Sequence, residues 1–89
     1  MISVCIATYN GEKYIKEQLD SIINQLDKND EIIISDDGSS DNTIKIIESY
    51  KDGRIVLYKN SFKNVVLNFE FAIDKSKGDY IFLSDQDDI

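Results

Sequence analysis

The sequence predicts an α/β protein with a parallel sheet of four strands, in the order 3-2-1-4, and with helices on both faces. Three observations support this fold class. Four short and almost continuous apolar segments recur along the 89 residues, which is typical of strands that are covered on both faces. Three stretches with apolar residues at helical spacing separate these segments. Because a strand, a helix and a second strand form a right-handed crossover, the alternation favours parallel pairing.

The four predicted strands share this apolar character. They are Ile2 to Thr8, Glu31 to Ser35, Arg54 to Tyr58, and Asp79 to Ser84. The chain has no proline, and its four glycines are scattered singly. No repeat or linker interrupts the pattern, so we expect one domain over residues 1–89.

The three predicted helices each carry one apolar stripe. The first spans Glu12 to Leu26, the second Asp41 to Lys51, and the third begins near Val65 and continues past Ile73. The stripes consist of Tyr14, Ile15, Leu19, Ile22, Ile23 and Leu26, then Ile44, Ile47 and Tyr50, then Val65, Val66, Phe69, Ala72 and Ile73. The expected end signals are Asn10 as the first N-cap, Ser39, Ser40 or Asp41 as the second, and Gly53 and Gly78 after the second and third helices.

The composition argues against several classes of function. The formal net charge is −7, and such a chain repels the phosphate backbone of nucleic acid. The sequence has no His, which excludes a Ser-His-Asp triad and a His-ligated zinc site within it. Its one cysteine, Cys5, lies in the first apolar segment, where we expect it to pack as a small hydrophobic residue. Met1 leads into that segment without a basic region, and no long apolar run follows, so we expect a cytoplasmic protein.

Polar and acidic residues follow three of the predicted strands. They are Thr8-Tyr9-Asn10-Gly11, Ser35-Asp36-Asp37-Gly38-Ser39-Ser40-Asp41, and Ser84-Asp85-Gln86-Asp87-Asp88. In the order 3-2-1-4 these segments lie at one edge of adjacent strands, where open α/β sheets bind ligands. Clustered carboxylates repel each other unless a cation offsets their charge, and oxygen ligands alone suit Mg²⁺, Mn²⁺ or Ca²⁺. The segment after the third strand, Lys59-Asn60-Ser61, contains no acid and is expected to lie away from this point.

Each of these segments also fits a simpler interpretation. Asp36-Asp37-Gly38-Ser39 has the composition of a turn with a helix cap, and Asp85 to Asp88 that of a solvated tail. Thr8 to Gly11 fits a strand end followed by a cap. We favour a ligand site because three such segments converge on one edge and two of them carry paired acids.

The same segments resemble the three leading motifs of family 2 glycosyltransferases, and of rhamnosyltransferase-like members in particular. The motifs are Ile2 to Gly11, Ser35 to Thr43, and Gly78 to Ile89, and together with the helices between them they cover the entire chain. The resemblance implies a Rossmann-like GT-A fold. Its N-terminal half would bind a nucleotide-sugar donor, commonly UDP- or dTDP-linked, together with Mn²⁺ or Mg²⁺.

The resemblance also implies roles for individual residues. Ala7, Thr8, Tyr9 and Asn10 would line the nucleotide after the first strand, and Asp36 or Asp37 would accept hydrogen bonds from the base. Asp85-Gln86-Asp87 would be the Asp-X-Asp motif, in which Asp85 and Gln86 face the nucleotide, Asp85 also faces the metal or its water, and Asp87 with Asp88 ligates the metal. Which of Asp87 and Asp88 is the principal ligand stays open.

Members of this family continue into an acceptor-binding half that carries the catalytic base. We therefore expect the base to lie beyond Ile89 and this chain to be a donor half, truncated after the Asp-X-Asp motif and inactive alone. The implied reaction is an inverting sugar transfer to a saccharide or lipid-linked acceptor, in polysaccharide biosynthesis, with the full-length enzyme at the inner face of the membrane. A donor half would leave apolar surface uncovered near the fourth strand, and self-association through that surface is expected.

Three other classes of function are weaker interpretations of the sequence. A nucleotide- or metal-binding module without turnover fits the same residues. A receiver-like phosphoacceptor domain fits less well, because its paired acids would follow the first strand, where this chain has Thr8-Tyr9-Asn10. A dehydrogenase fits least, because no G-x-G-x-x-G follows that strand.

Overall fold

The computed structural model describes residues 1–85, and the side chains of residues 1–84. In chain order the elements are β1 (Ile2–Thr8), α1 (Ile15–Ile23), β2 (Glu31–Asp36), α2 (Thr43–Glu48), β3 (Ile55–Lys59), α3 (Val65–Lys75) and β4 (Tyr80–Asp85). Over the described residues the strands form a parallel sheet in the order β3-β2-β1-β4. The predicted fold class and strand order are confirmed.

The two central strands, β1 and β2, supply most of the core. Side chains alternate along a strand, so one face of the sheet packs against α1 and α2 and the other against α3. The buried strand residues are Val4, Ile6, Ile32 and Ile34 on the first face, and Cys5 and Ile33 on the second. Full burial of each isoleucine side chain contributes about 1.5–3 kcal/mol. Cys5 packs as predicted, and burial raises the pKa of its thiol.

Helices α1 and α2 are shorter than the periodicity predicts. The N–H groups of Tyr14 and Ile15 donate to the Gly11 carbonyl, so a turn precedes the helix proper. Leu26 and Tyr50 pack against the core from beyond the helix ends. The apolar spacing continues through these turns because their side chains also reach the core. Among the described residues, no helix has the length and apolar character that crossing a membrane would require.

The expected N-cap of α1 is wrong. Tyr14 occupies that position without a side-chain cap, whereas Asn10 has a φ of 50° and its Oδ1 accepts the N–H of Ser40 at 2.8 Å. The N-cap position of α2 is Asn42, and of the three residues expected there Asp41 serves the first turn by accepting the N–H of Thr43 at 3.0 Å.

Strand β4 lies at an edge of the sheet and is largely uncovered. The exposed fractions are 68% for Tyr80, 45% for Ile81, 57% for Phe82 and 58% for Leu83. Three residues of the predicted α3 stripe, Val65, Val66 and Ile73, are also exposed, because the helix turns Asn68 and Ala72 toward the sheet. We name the exposed residues of β4, together with Val65 and Val66, the uncovered face.

Candidate functional site

A cleft of about 580 Å³ lies at the carboxyl ends of β1 and β2. It is lined by Ala7, Thr8, Tyr9, Asp37, Gly38, Ser61, Lys63, Asn64, Val65 and Asn68. The strand order reverses at β1, which lies between β2 and β4. The cleft therefore adjoins the point at which open α/β sheets bind ligands. Four of the predicted nucleotide-binding residues, Ala7, Thr8, Tyr9 and Asp37, line it.

Asp37 forms part of the wall of this cleft. Its side chain is 7% exposed, and its two carboxylate oxygens accept the backbone N–H groups of Lys63 at 2.8 Å and Asn64 at 2.9 Å. Lys63 has a φ of 54°, a conformation that costs a residue with a side chain about 1–2 kcal/mol. The carboxylate therefore holds the segment between β3 and α3 in a conformation that it would not adopt alone.

The expectation that the chain after the third strand lies away from the site is wrong. Ser61, Lys63 and Asn64 follow β3 and line the cleft. The segment is held there because Asp37 accepts the backbone N–H groups of Lys63 and Asn64 and because the N–H of Asn60 donates to the Asp36 carbonyl at 2.7 Å. The segment contains no acid that would have indicated a site. Backbone hydrogen bonds place it at the cleft, and they leave no signal in the sequence.

Asp36 lies beneath the cleft and is fully buried. Its carboxylate accepts the hydroxyl groups of Thr8 and Ser39, each at 2.6 Å, and the N–H of Ser39 at 2.8 Å. It thus joins the end of β1 to the turn after β2. Of the two acids that the resemblance offers for base recognition, Asp37 is the one that lines the cleft.

Asn10 connects the loop after β1 with the loop after β2. Its N–H donates to the Ser39 hydroxyl at 2.8 Å, in addition to the bond that its side chain accepts from Ser40. The N–H of Gly11 donates to Thr43 Oγ1 at 2.8 Å. The preceding residue, Tyr9, is instead 56% exposed and lines the cleft. Asn10 therefore contributes to the shape of the loops, whereas Tyr9 forms part of the exposed lining of the cleft.

Helix α3 supplies a buried amide that the sequence reasoning missed. Asn68 is 2% exposed, its Oδ1 accepts the Ser35 hydroxyl at 2.5 Å, and its amide donates to the Thr8 carbonyl at 3.5 Å. Asn60 donates to the same Ser35 oxygen at 2.8 Å. The sequence did contain a signal for this role, because Asn68 is a polar residue four positions before Ala72 and therefore lies on the helix face that meets the sheet.

Strand β4 brings its acidic end beside the cleft. Asp85 pairs with Ala7 in the register between β4 and β1, and Ala7 lines the cleft. Gln86, Asp87 and Asp88 lie outside the described residues, and their roles stay predictions. Within residues 1–85 no group of three or more acids, thiols or imidazoles is placed to hold a metal ion. The carboxylates of Asp85, Asp87 and Asp88 are the type of donor that Mn²⁺ and Mg²⁺ prefer, and the place of Asp85 in the sheet fits a ligand that extends from the cleft.

Comparison with known proteins decides the family. Residues 3–89 match glycosyl transferase family 2. The chain belongs to this family. It is 46% identical to the dTDP-rhamnosyl transferase RfbG of Shigella flexneri over 92 residues, which cover 94% of this chain and 32% of that protein. It is 40% identical to the UDP-Glc:alpha-D-GlcNAc-diphosphoundecaprenol beta-1,3-glucosyltransferase WfaP of Escherichia coli, over 99% of this chain and 36% of that protein. The family 2 chain thus spans about a third of the length of these relatives.

Solved structures support the same fold. The S. aureus TarS fragment 1-349 in complex with UDP-GlcNAc superposes with a TM-score of 0.88 at 28% identity, over 97% of this chain and 26% of that one. The mannosyltransferase PcManGT from Pyrobaculum calidifontis, in complex with GDP-Man and Mn²⁺, superposes with a TM-score of 0.85 at 22% identity, over 97% and 27% of the two chains. At that identity the second likeness concerns the fold alone. The parallel sheet of this family 2 chain is that of GT-A glycosyltransferases, as the resemblance implied.

Proposed function

We propose that this chain is the donor-binding part of an inverting glycosyltransferase, which moves a sugar from a nucleoside diphosphate to an acceptor hydroxyl. The observation that carries the proposal is the cleft of about 580 Å³ at the carboxyl ends of β1 and β2, with Asp37 in its wall. Its volume is in the usual range for small-molecule sites. The UDP-GlcNAc complex of TarS and the dTDP-rhamnosyl transferase activity in the name of RfbG support a UDP- or dTDP-linked sugar as the donor.

In this proposal the nucleoside occupies the cleft. Ala7, Thr8 and Tyr9 contact it from the end of β1, and the exposed side chain of Tyr9 packs against the base. Asp37 accepts a hydrogen bond from the base with the lone pairs that the backbone leaves available. Asn10 and Asp36 serve the nucleotide indirectly, because they fix the two loops that carry the contacting residues.

The diphosphate is expected to extend from the cleft toward the end of β4. Asp85 and Gln86 contact the nucleotide there, and Asp85, Asp87 and Asp88 are the residues that would hold Mn²⁺ or Mg²⁺. A divalent cation, when bound, offsets the negative charge that develops on the leaving diphosphate. A chain with a net charge of −7 also needs such a cation to attract an anionic donor.

The remaining machinery is proposed to lie outside this chain. A catalytic base beyond Ile89 would take the proton from the acceptor hydroxyl as it attacks C1 of the sugar. The acceptor is expected to be a saccharide or a lipid-linked sugar, as the name of WfaP indicates for that relative. Such an enzyme would act in polysaccharide biosynthesis, in the cytoplasm or at the inner face of the membrane, and residues 1–89 alone would bind the donor without transferring the sugar.

A binding module without turnover is the second candidate. It is supported by the same cleft and the same lining residues, which would bind a nucleotide whether or not a reaction follows. Sugar transfer in a longer form of the protein, together with donor binding by the 89 residues alone, distinguishes the enzyme from the module.

Titration calorimetry with UDP, dTDP and GDP, each in Mn²⁺ and in EDTA, tests the proposal. We expect UDP or dTDP to bind more tightly in Mn²⁺ than in EDTA, because the cation reverses the sign of the electrostatic field that the phosphates meet. Changing Asp85, Asp87 and Asp88 together to Asn should abolish this metal-dependent gain.

Asp37→Asn provides the contrasting variant for that titration. An amide nitrogen would face a backbone N–H, so we expect nucleotide affinity to fall by about 1–3 kcal/mol both with and without metal. Asp74→Asn, an exposed change on α3, is the control and should bind as the unchanged chain does. Undiminished metal-dependent binding by the triple variant would refute the metal site, and an unchanged affinity of Asp37→Asn would refute the nucleoside site.

A further inference from the structure

Helix α1 carries an amide in the layer that packs against the sheet. Gln18 is 1% exposed and lies between Ile15 and Leu19, both fully buried. Its Nε2 donates to the hydroxyl of Ser84 at 2.7 Å. Burying a primary amide costs free energy unless it is hydrogen-bonded, and an aliphatic residue would pack at this position without that cost. The glutamine therefore calls for an explanation beyond core packing.

Ser84, which accepts this hydrogen bond, is a residue of β4. It stands immediately before Asp85 and pairs with Ile6 of β1, and Ile6 faces the helix layer formed by α1 and α2. The bond thus connects α1 to the carboxyl end of β4. This end of the strand needs support, since Phe82 and Leu83 just before it are more than half exposed.

The two ends of β4 are fastened in different ways. At its beginning the N–H of Gly78 donates to the Ser3 hydroxyl at 2.8 Å, and the N–H of Asp79 donates to the Met1 carbonyl at 2.9 Å. At its end the Gln18–Ser84 hydrogen bond holds the strand from a different layer of the molecule. That bond lies one residue from the start of the acidic run.

We infer that Gln18 is a positioning residue for the donor site: through Ser84 it fixes the carboxyl end of β4, where the Asp85-Gln86-Asp87 run begins. The inference rests on the proposed function for its chemical consequence, which is binding of the metal and diphosphate by that run. Partners behind a metal ligand commonly set its orientation, and their loss lowers metal affinity. Gln18 and Ser84 would have this relation to the acidic run.

The test uses Gln18→Leu, which keeps the volume and removes the donor, and Ser84→Ala, which removes the acceptor. We expect each variant to lower the Mn²⁺-dependent gain in UDP or dTDP affinity about tenfold, and the double variant to lower it no further. Affinity in EDTA should not change. Gln25→Leu is the matched control, because Gln25 is an exposed glutamine just beyond α1, and it should keep the full gain.

A second measurement tests, without any ligand, whether the carboxyl end of β4 changes position. The NMR amide signals of Asp85 and Gln86 should shift in Gln18→Leu and Ser84→Ala but not in Gln25→Leu. Unmoved signals in the first two variants would overturn the inference, as would a retained metal-dependent gain. If the unchanged chain shows no gain with Mn²⁺, the metal site of the proposed function fails, and the amide signals alone then decide whether Gln18 fixes this end of β4.

Discussion

Asp36 joins two loops through one buried carboxylate. It accepts hydrogen bonds from Thr8 and Ser39 while fully removed from solvent. Asp36→Ala should lower the free energy of unfolding by about 2–4 kcal/mol, because one buried donor, from Thr8, and two partly buried donors, from Ser39, lose their acceptor at once. Chemical denaturation measures this, with the exposed Asp74→Ala expected within about 0.5 kcal/mol of the unchanged chain. Equal stability of the two variants would contradict the role assigned to Asp36.

At this scale the sequence predicted residue types better than residue roles. Pairs of acids after a strand indicated a site, but Asp36 and Asp37 differ in role because one faces the interior and the other the cleft. Asn10 is a residue type that commonly caps helices, but its side chain instead accepts a hydrogen bond from Ser40 in the neighbouring loop. The part played by Lys63 depends on its positive φ, for which its side-chain type gives no signal. These roles are set by contacts between segments that are distant in sequence.

At the scale of elements, the docking of β4 on β1 depends on Gly78. A Cβ there would lie 2.5 Å from Ser3 Oγ, 2.7 Å from Ser3 N and 3.0 Å from the Met1 carbonyl oxygen. Gly78→Ala should lower the free energy of unfolding by about 1–3 kcal/mol, because backbone atoms must move to admit the methyl group. Gly53→Ala is the control, since no atom lies within 4 Å of its added Cβ. Thermal melts that place both variants at the same Tm would refute the close approach.

The turn before β3 gives the molecule an acid-sensitive element. Arg54 donates to both carboxylate oxygens of Asp52, at 3.0 and 2.7 Å, and these bonds lower the pKa of Asp52 to about 2. Unfolded carboxyl groups titrate near a pKa of about 3.9, so the stabilisation is present above that pH and is lost as the pH falls through about 2. Asp52→Asn should therefore unfold more easily than the unchanged chain at neutral pH, and the difference should vanish toward pH 2. A difference that is constant across denaturation curves from pH 6 to pH 2 would contradict this account.

The elements themselves were largely predictable. Strand bounds agree to within one residue. For example, β2 spans Glu31–Asp36 against an expected Glu31 to Ser35, because strands covered on both faces need continuous apolar sequence. The lengths of α1 and α2 were overestimated, since Leu26 and Tyr50 continue the apolar stripe from turns that pack on the core, whereas α3 begins at the expected Val65 and continues past Ile73. The segment between β3 and α3 was missed as part of the site because backbone N–H groups, common to nearly every residue, bind it to Asp37.

For the whole molecule, the distribution of apolar surface differs between the two edges of the sheet. On β3 most residues are half-buried, whereas Tyr80 to Leu83 of β4 are between 45% and 68% exposed. Contiguous exposed apolar surface and an unpaired edge strand both favour association. We therefore expect the 89-residue chain to self-associate through the uncovered face.

A pair of charge substitutions tests this at the two edges. Replacing Phe82 and Leu83 by Lys places charge on the uncovered face, at positions that are 57% and 58% exposed, so it should prevent association with little loss of core packing. Val56→Lys places a charge on β3, where Val56 is 37% exposed, and should leave association intact. Light scattering over a concentration series, together with the fluorescence of a dye that binds apolar surface, follows both effects. Association requires the uncovered face to be free, so a longer form of the protein that covers β4 should remain monomeric at concentrations where the 89 residues associate. A monomer at high concentration without dye binding, or equal loss of association in the β3 and β4 variants, would show that this face does not drive assembly.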